Sequence, residues 1–111
     1  MREESGGWHK VAAEVDCEAG QPLGVRLGDQ QVVLVRYEGR VHALDGVCPH
    51  AYALLSEGYL SGEAIECPLH AACFDIRTGK LIEGPPGTAD LATYDVRVEG
   101  GEIWLRGRMT G

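Results

Sequence analysis

The sequence predicts an all-β sandwich or barrel, formed by one domain over residues 1–111. Two observations lead to this prediction. Short segments that are β-branched, or that alternate apolar with polar residues, follow one another along the chain, and glycine-containing turns separate them. No stretch of useful length shows the periodicity of an amphipathic helix. Many short strands joined by turns are typical of packed β layers.

Alternation and β-branched runs mark the strands in the first half of the chain. Alternating residues predict a first strand over 8–15, and a minor strand is expected at 24–27. The apolar, β-branched run 32–37 predicts a buried strand. Glu38-Gly39 then turns the chain into 40–44, because a glycine supplies the positive φ that such turns require.

In the second half, short strands flank the turn-rich centre and a hairpin ends the chain. The predicted strands there are 63–66, 74–76, 80–82, 94–99 and 102–105. The last two are the clearest, since Tyr94, Val96 and Val98 alternate with charged residues and Gly100-Gly101 forms a two-residue turn.

Composition excludes several classes of protein. The formal charge is −7, from 17 acidic and 10 basic residues, and no cluster of Lys and Arg suggests nucleic-acid binding. An acidic surface suits a basic patch on a protein partner. The longest apolar run, Ala51 to Leu55, is too short for a membrane span, and the start lacks a secretory h-region. We therefore expect no membrane association and a cytoplasmic location.

Two short stretches carry the residues that can bind a metal. They read Cys48-Pro49-His50 and, after sixteen residues, Cys67-Pro68-Leu69-His70. Two Cys and two His suit a Rieske [2Fe-2S] cluster, in which two His replace two Cys on one iron. They also suit a tetrahedral structural zinc site. The residue types alone leave both centres open.

The pattern resembles the signature of Rieske [2Fe-2S] proteins, and its flanks resemble soluble Rieske-type ferredoxins. The similar flanks are Leu55–Gly58 and His70–Lys80, and the resemblance extends over about 8–105. It implies an antiparallel β-sandwich with a cluster-binding subdomain inserted at about 46–83. The family includes the ferredoxin components of aromatic ring-hydroxylating dioxygenase systems.

This resemblance implies one cluster, four ligands and a role without catalysis. Cys48 and Cys67 would bind the inner iron, and His50 and His70 the outer iron nearer the surface. The protein would carry one electron from an NAD(P)H-dependent flavoprotein reductase to a terminal ring-hydroxylating oxygenase of aromatic hydrocarbon catabolism. Both partners would dock transiently near His50 and His70, beside an exposed apolar rim that Tyr52 and Leu54 are expected to form.

The resemblance also bears on the reduction potential. High-potential Rieske proteins carry a disulfide between the cluster loops, and its positions match Ala53 and Leu69 here, so that bridge is absent. They also carry serine and tyrosine hydroxyls that bond to sulfur, at positions that match Ala72 and Phe74. Without those hydrogen bonds the more negative reduced state is less stable. We expect a low potential, roughly −150 mV.

Two alternative functions and the remaining cysteines and prolines complete the prediction. The small Rieske-like subunit of an assimilatory nitrite reductase is the first alternative function, and a structural zinc-binding module is the second. Cys17 and Cys73 are expected to be free thiols without a role, and Asp16 and Glu18 to raise the pKa of Cys17. Pro85-Pro86 resembles the proline-bearing loop that covers the cluster in the family, but an ordinary surface turn fits it equally.

Overall fold

The computed structural model describes residues 7–49, 52–69 and 72–109. Within them the chain forms ten β-strands and two short 3-10 helices, Glu14–Asp16 and Leu55–Glu57. The strands are β1 His9–Ala13, β2 Leu23–Leu27, β3 Gln30–Tyr37, β4 Arg40–Asp45, β5 Tyr59–Ser61, β6 Ala64–Glu66, β7 Cys73–Asp75, β8 Leu81–Glu83, β9 Thr93–Glu99 and β10 Glu102–Met109. No helix in this described part is long and apolar enough to cross a membrane.

The larger sheet has six strands in the order β1-β10-β9-β4-β3-β2, and all its pairings are antiparallel. Strands β4 and β9 join its two halves over only two residue pairs, Ala43 with Tyr94 and Leu44 with Thr93. This short junction lies at the carboxyl end of β4. From there the chain leaves the sheet toward the first cysteine of the predicted site.

The smaller sheet has four antiparallel strands in the order β5-β6-β7-β8. All four lie between residues 59 and 83, inside the segment where an inserted subdomain is expected. Strand β5 was absent from the sequence prediction, because three residues before the Gly62-Glu63 turn are too few to show alternation. The other strands agree with the prediction, except that β1 ends earlier and β10 runs farther. The all-β antiparallel prediction is confirmed.

Strand β3 separates two hydrophobic cores because successive side chains of a strand point to opposite faces. Val33 and Val35 pack in one core with residues of the smaller sheet, such as Phe74. Val32 and Leu34 pack in the other core, between the halves of the larger sheet. These four side chains are all buried, so both faces of β3 are covered. The first core also contains Cys48 and Cys67, which places the predicted site against the smaller sheet.

Candidate metal centre

The first cysteine lies in a loop that closes on itself through backbone hydrogen bonds. The Cys48 N–H donates to the Ala53 carbonyl at 2.9 Å, and the Tyr52 N–H donates to the Cys48 carbonyl at 2.8 Å. An isolated antiparallel bridge between Val47 and Leu54 holds the base of this loop. Residues 48–53 thus form a tight loop, which we call loop 1.

Tyr52 adopts a left-handed backbone conformation, with φ of 57°. Residues with a Cβ adopt this conformation at a steric cost of about 1–2 kcal/mol. The closure of loop 1 imposes this conformation, since the Tyr52 N–H must reach back to Cys48. The consequence is visible at the surface, where the Tyr52 side chain is 82% exposed.

The second cysteine lies in a loop with the same closure. The Cys67 N–H donates to the Ala72 carbonyl at 2.8 Å, again across five residues. The Leu69 N–H also donates a hydrogen bond to the Cys67 sulfur. We call residues 67–72 loop 2. Both loops therefore begin with a cysteine and turn back after the same number of residues.

The two loops bring Cys48 and Cys67 together in one core, where the neighbouring Cys48 thiol contributes to the raised pKa of Cys67. Cys48 is 0% exposed and Cys67 is 1% exposed, and neither forms a disulfide. Burial is the main cause that raises the pKa of the Cys67 thiol. The Leu69 N–H opposes this increase, while the Cys48 thiol and the Glu66 carboxylate add to it.

This pair of thiols fits part of the ligand set of a metal centre. Two neighbouring buried thiolates would repel each other, and burial shields them from the water that would stabilise their charges. A bound metal removes this cost because it binds the deprotonated sulfur atoms directly. The Leu69 N–H is already placed as a donor to one sulfur, which is how outer hydrogen bonds tune such centres.

The two predicted histidine ligands, His50 and His70, lie outside the described residues, as do Ala51 and Ala71. The structure does describe the chain on either side of each histidine. His50 belongs to loop 1 and His70 to loop 2, so both loops that carry them start from the paired cysteines.

Gly46 anchors loop 1 to the larger sheet. Its N–H donates to the Gln31 carbonyl at 2.9 Å, and its carbonyl accepts from the Leu55 N–H at 2.8 Å. A Cβ on Gly46 would lie 2.9 Å from backbone atoms of Gln31 and Val32, so only glycine fits this approach. Loop 1 therefore starts from a fixed point on β3.

Gly58 lets the chain after loop 1 approach the chain before loop 2 closely. A Cβ on Gly58 would collide with the carbonyl oxygen of Glu66, the residue before Cys67. The φ of Gly58 is −87°, which any residue adopts, so the close approach itself requires the glycine. The turn after loop 1 thus packs directly on the strand that enters loop 2.

The proline segment lies beside both loops. Gly84, just before Pro85, packs on Ala72 of loop 2, where a Cβ would come within 3.3 Å of the Ala72 Cβ. Downstream, Asp90 lines a cleft of about 270 Å³ together with residues of loop 1, including Tyr52. Pro85 and Pro86 themselves lie in a turn in which the Thr88 N–H donates to the Pro85 carbonyl at 3.2 Å, and a covering role over the cluster stays a prediction.

Of the other two cysteines, Cys73 pairs with Glu66, the residue before Cys67, and Cys17 lies in the other core. Cys73 is half-buried in β7, and burial followed by the charges of Glu66 and Glu83 raises the pKa of its thiol. Cys17 is buried in the other core, and its thiol pKa is raised as expected. The expected cause of this increase, the charges of Asp16 and Glu18, was wrong.

Burial makes the largest contribution to the raised pKa of Cys17, and the contributing acidic group is Glu14 instead of Asp16 or Glu18. Arg36 opposes the increase. Its Nε also donates to the Cys17 carbonyl at 2.8 Å.

An exposed apolar rim surrounds the ends of the two loops. Tyr52 and Leu54 were expected there, and they are 82% and 37% exposed. Leu69 was not expected in this rim, yet it is 52% exposed on loop 2. Its place directly before His70 was the signal in the sequence that could have found it.

Comparison with known proteins gives one matching family. A sequence model of the Rieske [2Fe-2S] domain matches residues 7–95. The ferredoxin component of the naphthalene 1,2-dioxygenase/salicylate 5-hydroxylase systems of Ralstonia sp is 37% identical over 99 residues, which cover 89% of this chain and 94% of that protein.

A second relative and a solved structure agree with this match. The naphthalene 1,2-dioxygenase ferredoxin component of Pseudomonas putida is 40% identical over 92 residues, which cover 83% of this chain and 88% of that protein. The solved complex of reduced oxygenase and oxidised ferredoxin in carbazole 1,9a-dioxygenase contains a similar chain. That chain has a TM-score of 0.82 and 33% identity, with 96% of this chain and 99% of that chain covered.

The close approach at Gly58 gives a prediction. Gly58→Ala is expected to lower the free energy of unfolding by about 3 kcal/mol, because the added Cβ must displace the Glu66 carbonyl. Urea denaturation followed by circular dichroism measures this loss. The control is Glu57→Ala at the exposed neighbouring position, where we expect a change of about 0.5 kcal/mol or less. Equal losses in the two variants would contradict the packing described here.

Proposed function

Because the chain belongs to the family of Rieske [2Fe-2S] domains, we propose that it carries single electrons between a flavoprotein reductase and a terminal oxygenase. The reductase is NAD(P)H-dependent, and the oxygenase belongs to an aromatic ring-hydroxylating system. The protein itself catalyses no step. When bound, its cluster accepts and releases one electron at a potential that two neutral histidine ligands raise above that of an all-thiolate centre.

The proposed ligands are Cys48, His50, Cys67 and His70. The observation that carries this assignment is the proximity of the buried thiols of Cys48 and Cys67 on two similarly closed loops. Two thiolates on one iron require such proximity. Each loop also carries one of the two histidines, which would bind the iron nearer the surface.

The proposed domain is the whole chain, with the cluster-binding subdomain inserted at about 46–83. Two observations support this division. Strands β5 to β8 all lie within that segment, and they form a sheet separate from the six-stranded one. Loops 1 and 2 also lie within it, so a single inserted unit would supply every ligand.

Both partners would dock at the apolar rim near His50 and His70. Tyr52 and Leu69 support this, because exposed apolar side chains at such a site are typical of a protein interface. The formal charge of −7 would speed the encounter with a basic partner surface. We propose a cytoplasmic location, where the thiols of Cys17 and Cys73 stay reduced.

The residues around the thiol pair predict the reduction potential. Ala72 and Phe74 are both fully buried beside the cysteines, and neither side chain has a hydroxyl that could bond to sulfur. A potential of roughly −150 mV is therefore expected in a spectroelectrochemical titration. Phe74→Tyr should raise the potential, because it restores a donor. A wild-type value well above zero would contradict this reasoning.

The electron-carrier function can be tested by rapid mixing. The protein is reduced and mixed without oxygen with an excess of the oxidised oxygenase of a naphthalene 1,2-dioxygenase system. The account predicts that the absorption of the reduced carrier is lost rapidly and that the oxygenase is reduced. A control mixture contains buffer in place of the oxygenase.

Two results would contradict the proposed function. One is oxidation no faster than in the buffer control with both naphthalene-type and carbazole-type oxygenases. The other is recovery of the native protein only in a stable complex with a nitrite reductase large subunit, which would identify a bound subunit in place of a mobile carrier.

A further inference from the structure

Asp45 is a buried carboxylate immediately before the segment that enters loop 1. Asp45 is 8% exposed, and no other charged residue in the described part of the chain is buried. Its Oδ1 accepts a hydrogen bond from the Tyr94 hydroxyl at 2.9 Å, and its Oδ2 accepts from the Ala92 N–H at 3.1 Å. Burial of such a group is costly unless hydrogen bonds or a charged partner compensate for the lost water.

These hydrogen bonds extend the junction between β4 and β9. The Asp45 N–H also donates to the Ala92 carbonyl, at 2.9 Å. Backbone pairing of the two strands covers only two residue pairs, which end at Leu44 and Thr93. Asp45 therefore continues the junction with its side chain, at the last residue before the chain turns toward Cys48.

The carboxylate also lies close to the proposed cluster ligands. Three residues of chain span at most about 11 Å, so the Cα atoms of Asp45 and Cys48 are no farther apart than that. Asp45 lines a cleft of about 270 Å³ together with Val47 and Pro49, the residues on either side of Cys48. Asp45 pairs with Val32 and bonds to Tyr94, so its side chain lies on the face of β4 that carries the second core, three residues before Cys48.

Burial disfavours the ionised form of a carboxylate, and hydrogen-bond donors on both of its oxygens oppose that effect. When Asp45 is ionised, water and salt screen its buried charge less than a surface charge. Reduction of a neighbouring centre adds a further negative charge, which a fixed carboxylate opposes. At about 10 Å and an effective dielectric constant of about 20, two unit charges change an equilibrium constant by about tenfold.

From these observations we propose that Asp45, held by Tyr94 and Ala92, positions loop 1 and lowers the reduction potential of the centre bound there through its charge. This inference rests on the proposed cluster ligands. It goes beyond them because it assigns part of the low potential to a residue that binds no metal. The low reduction potential then has two causes: the charge of Asp45, and the absence of hydroxyl groups from the side chains of Ala72 and Phe74.

The test is a redox titration of the cluster-loaded Asp45→Asn protein at a fixed pH, with EPR of each reduced sample. Asn keeps the shape and one acceptor but removes the charge. The reduction equilibrium is expected to shift about tenfold toward the reduced form, which is about 59 mV for one electron. Unchanged g values would show that the ligands remain the same, so the shift would be electrostatic.

Glu99→Gln is the matched control, since it also replaces a carboxylate by an amide. Glu99 is exposed and lies five residues beyond Tyr94 along β9, roughly 17 Å away, where its charge is screened. The reduction potential of the Glu99→Gln protein is expected to equal that of the wild type. An Asp45→Asn potential equal to that of Glu99→Gln, with the cluster intact, would overturn the proposal.

If Asp45→Asn does not assemble a cluster, Tyr94→Phe decides the question. It leaves the carboxylate and its bond to Ala92 but removes the hydroxyl that partly neutralises the charge. The potential is then expected to fall, and an unchanged or higher value would overturn the proposal. The wild-type titration separates the two hypotheses. Absence of any one-electron cluster there would reject the proposed ligands together with this role of Asp45, whereas an intact cluster with an unchanged Asp45→Asn potential would reject the role of Asp45 alone.

Discussion

The proximity of two buried thiols is the constraint on which the rest of the site depends. Cys48 and Cys67 come from loops separated by the first strands of the smaller sheet, yet they lie together inside the core. Burial raises the pKa of Cys67, so a metal-free site favours thiols and disfavours the thiolates that bind iron. A cation bound between the loops reverses this preference. Folding therefore places the sulfur atoms where a metal centre stabilises them most.

Close backbone contacts maintain this arrangement from three sides. Gly46 fixes the start of loop 1 on β3, and Gly58 packs on the strand that enters loop 2. Asp45 ties the same end of β4 to the neighbouring β9. The thiols are thus deeply buried while Tyr52 and Leu69, on the same two loops, remain exposed. A site of this form can be held rigidly inside the protein and still be reached by a partner at its outer end.

Much of the fold and the meeting of Cys48 with Cys67 could be predicted from the sequence, because both depend on local patterns, while their role as ligands stays a prediction. The alternation in 94–99 and the glycine pair after it were sufficient to place a hairpin. The spacing of Cys48 and Cys67 from their histidines, with the matching flanks, was sufficient to indicate the Rieske family, to which the chain belongs. The positions of His50 and His70 relative to the cysteines stay predictions.

Other features could not be predicted because they arise from contacts between distant residues. Asp45 and Tyr94 are 49 positions apart, and nothing near either residue indicates that they meet. The positive φ of Tyr52 follows from the closure of loop 1, while sequence rules assign such angles to glycine. The pKa of Cys17 is likewise governed by burial in the core, which the adjacent Asp16 does not reveal.

The most direct test of the central claim is EPR of the protein purified without oxygen, before and after dithionite, together with its iron and sulfide content. The account predicts a red-brown protein with equal amounts of iron and sulfide. After reduction it should bleach and give a rhombic signal whose average g value lies below that of the free electron. A colourless, EPR-silent protein that contains stoichiometric zinc and no sulfide would contradict the account and leave a structural zinc domain in its place.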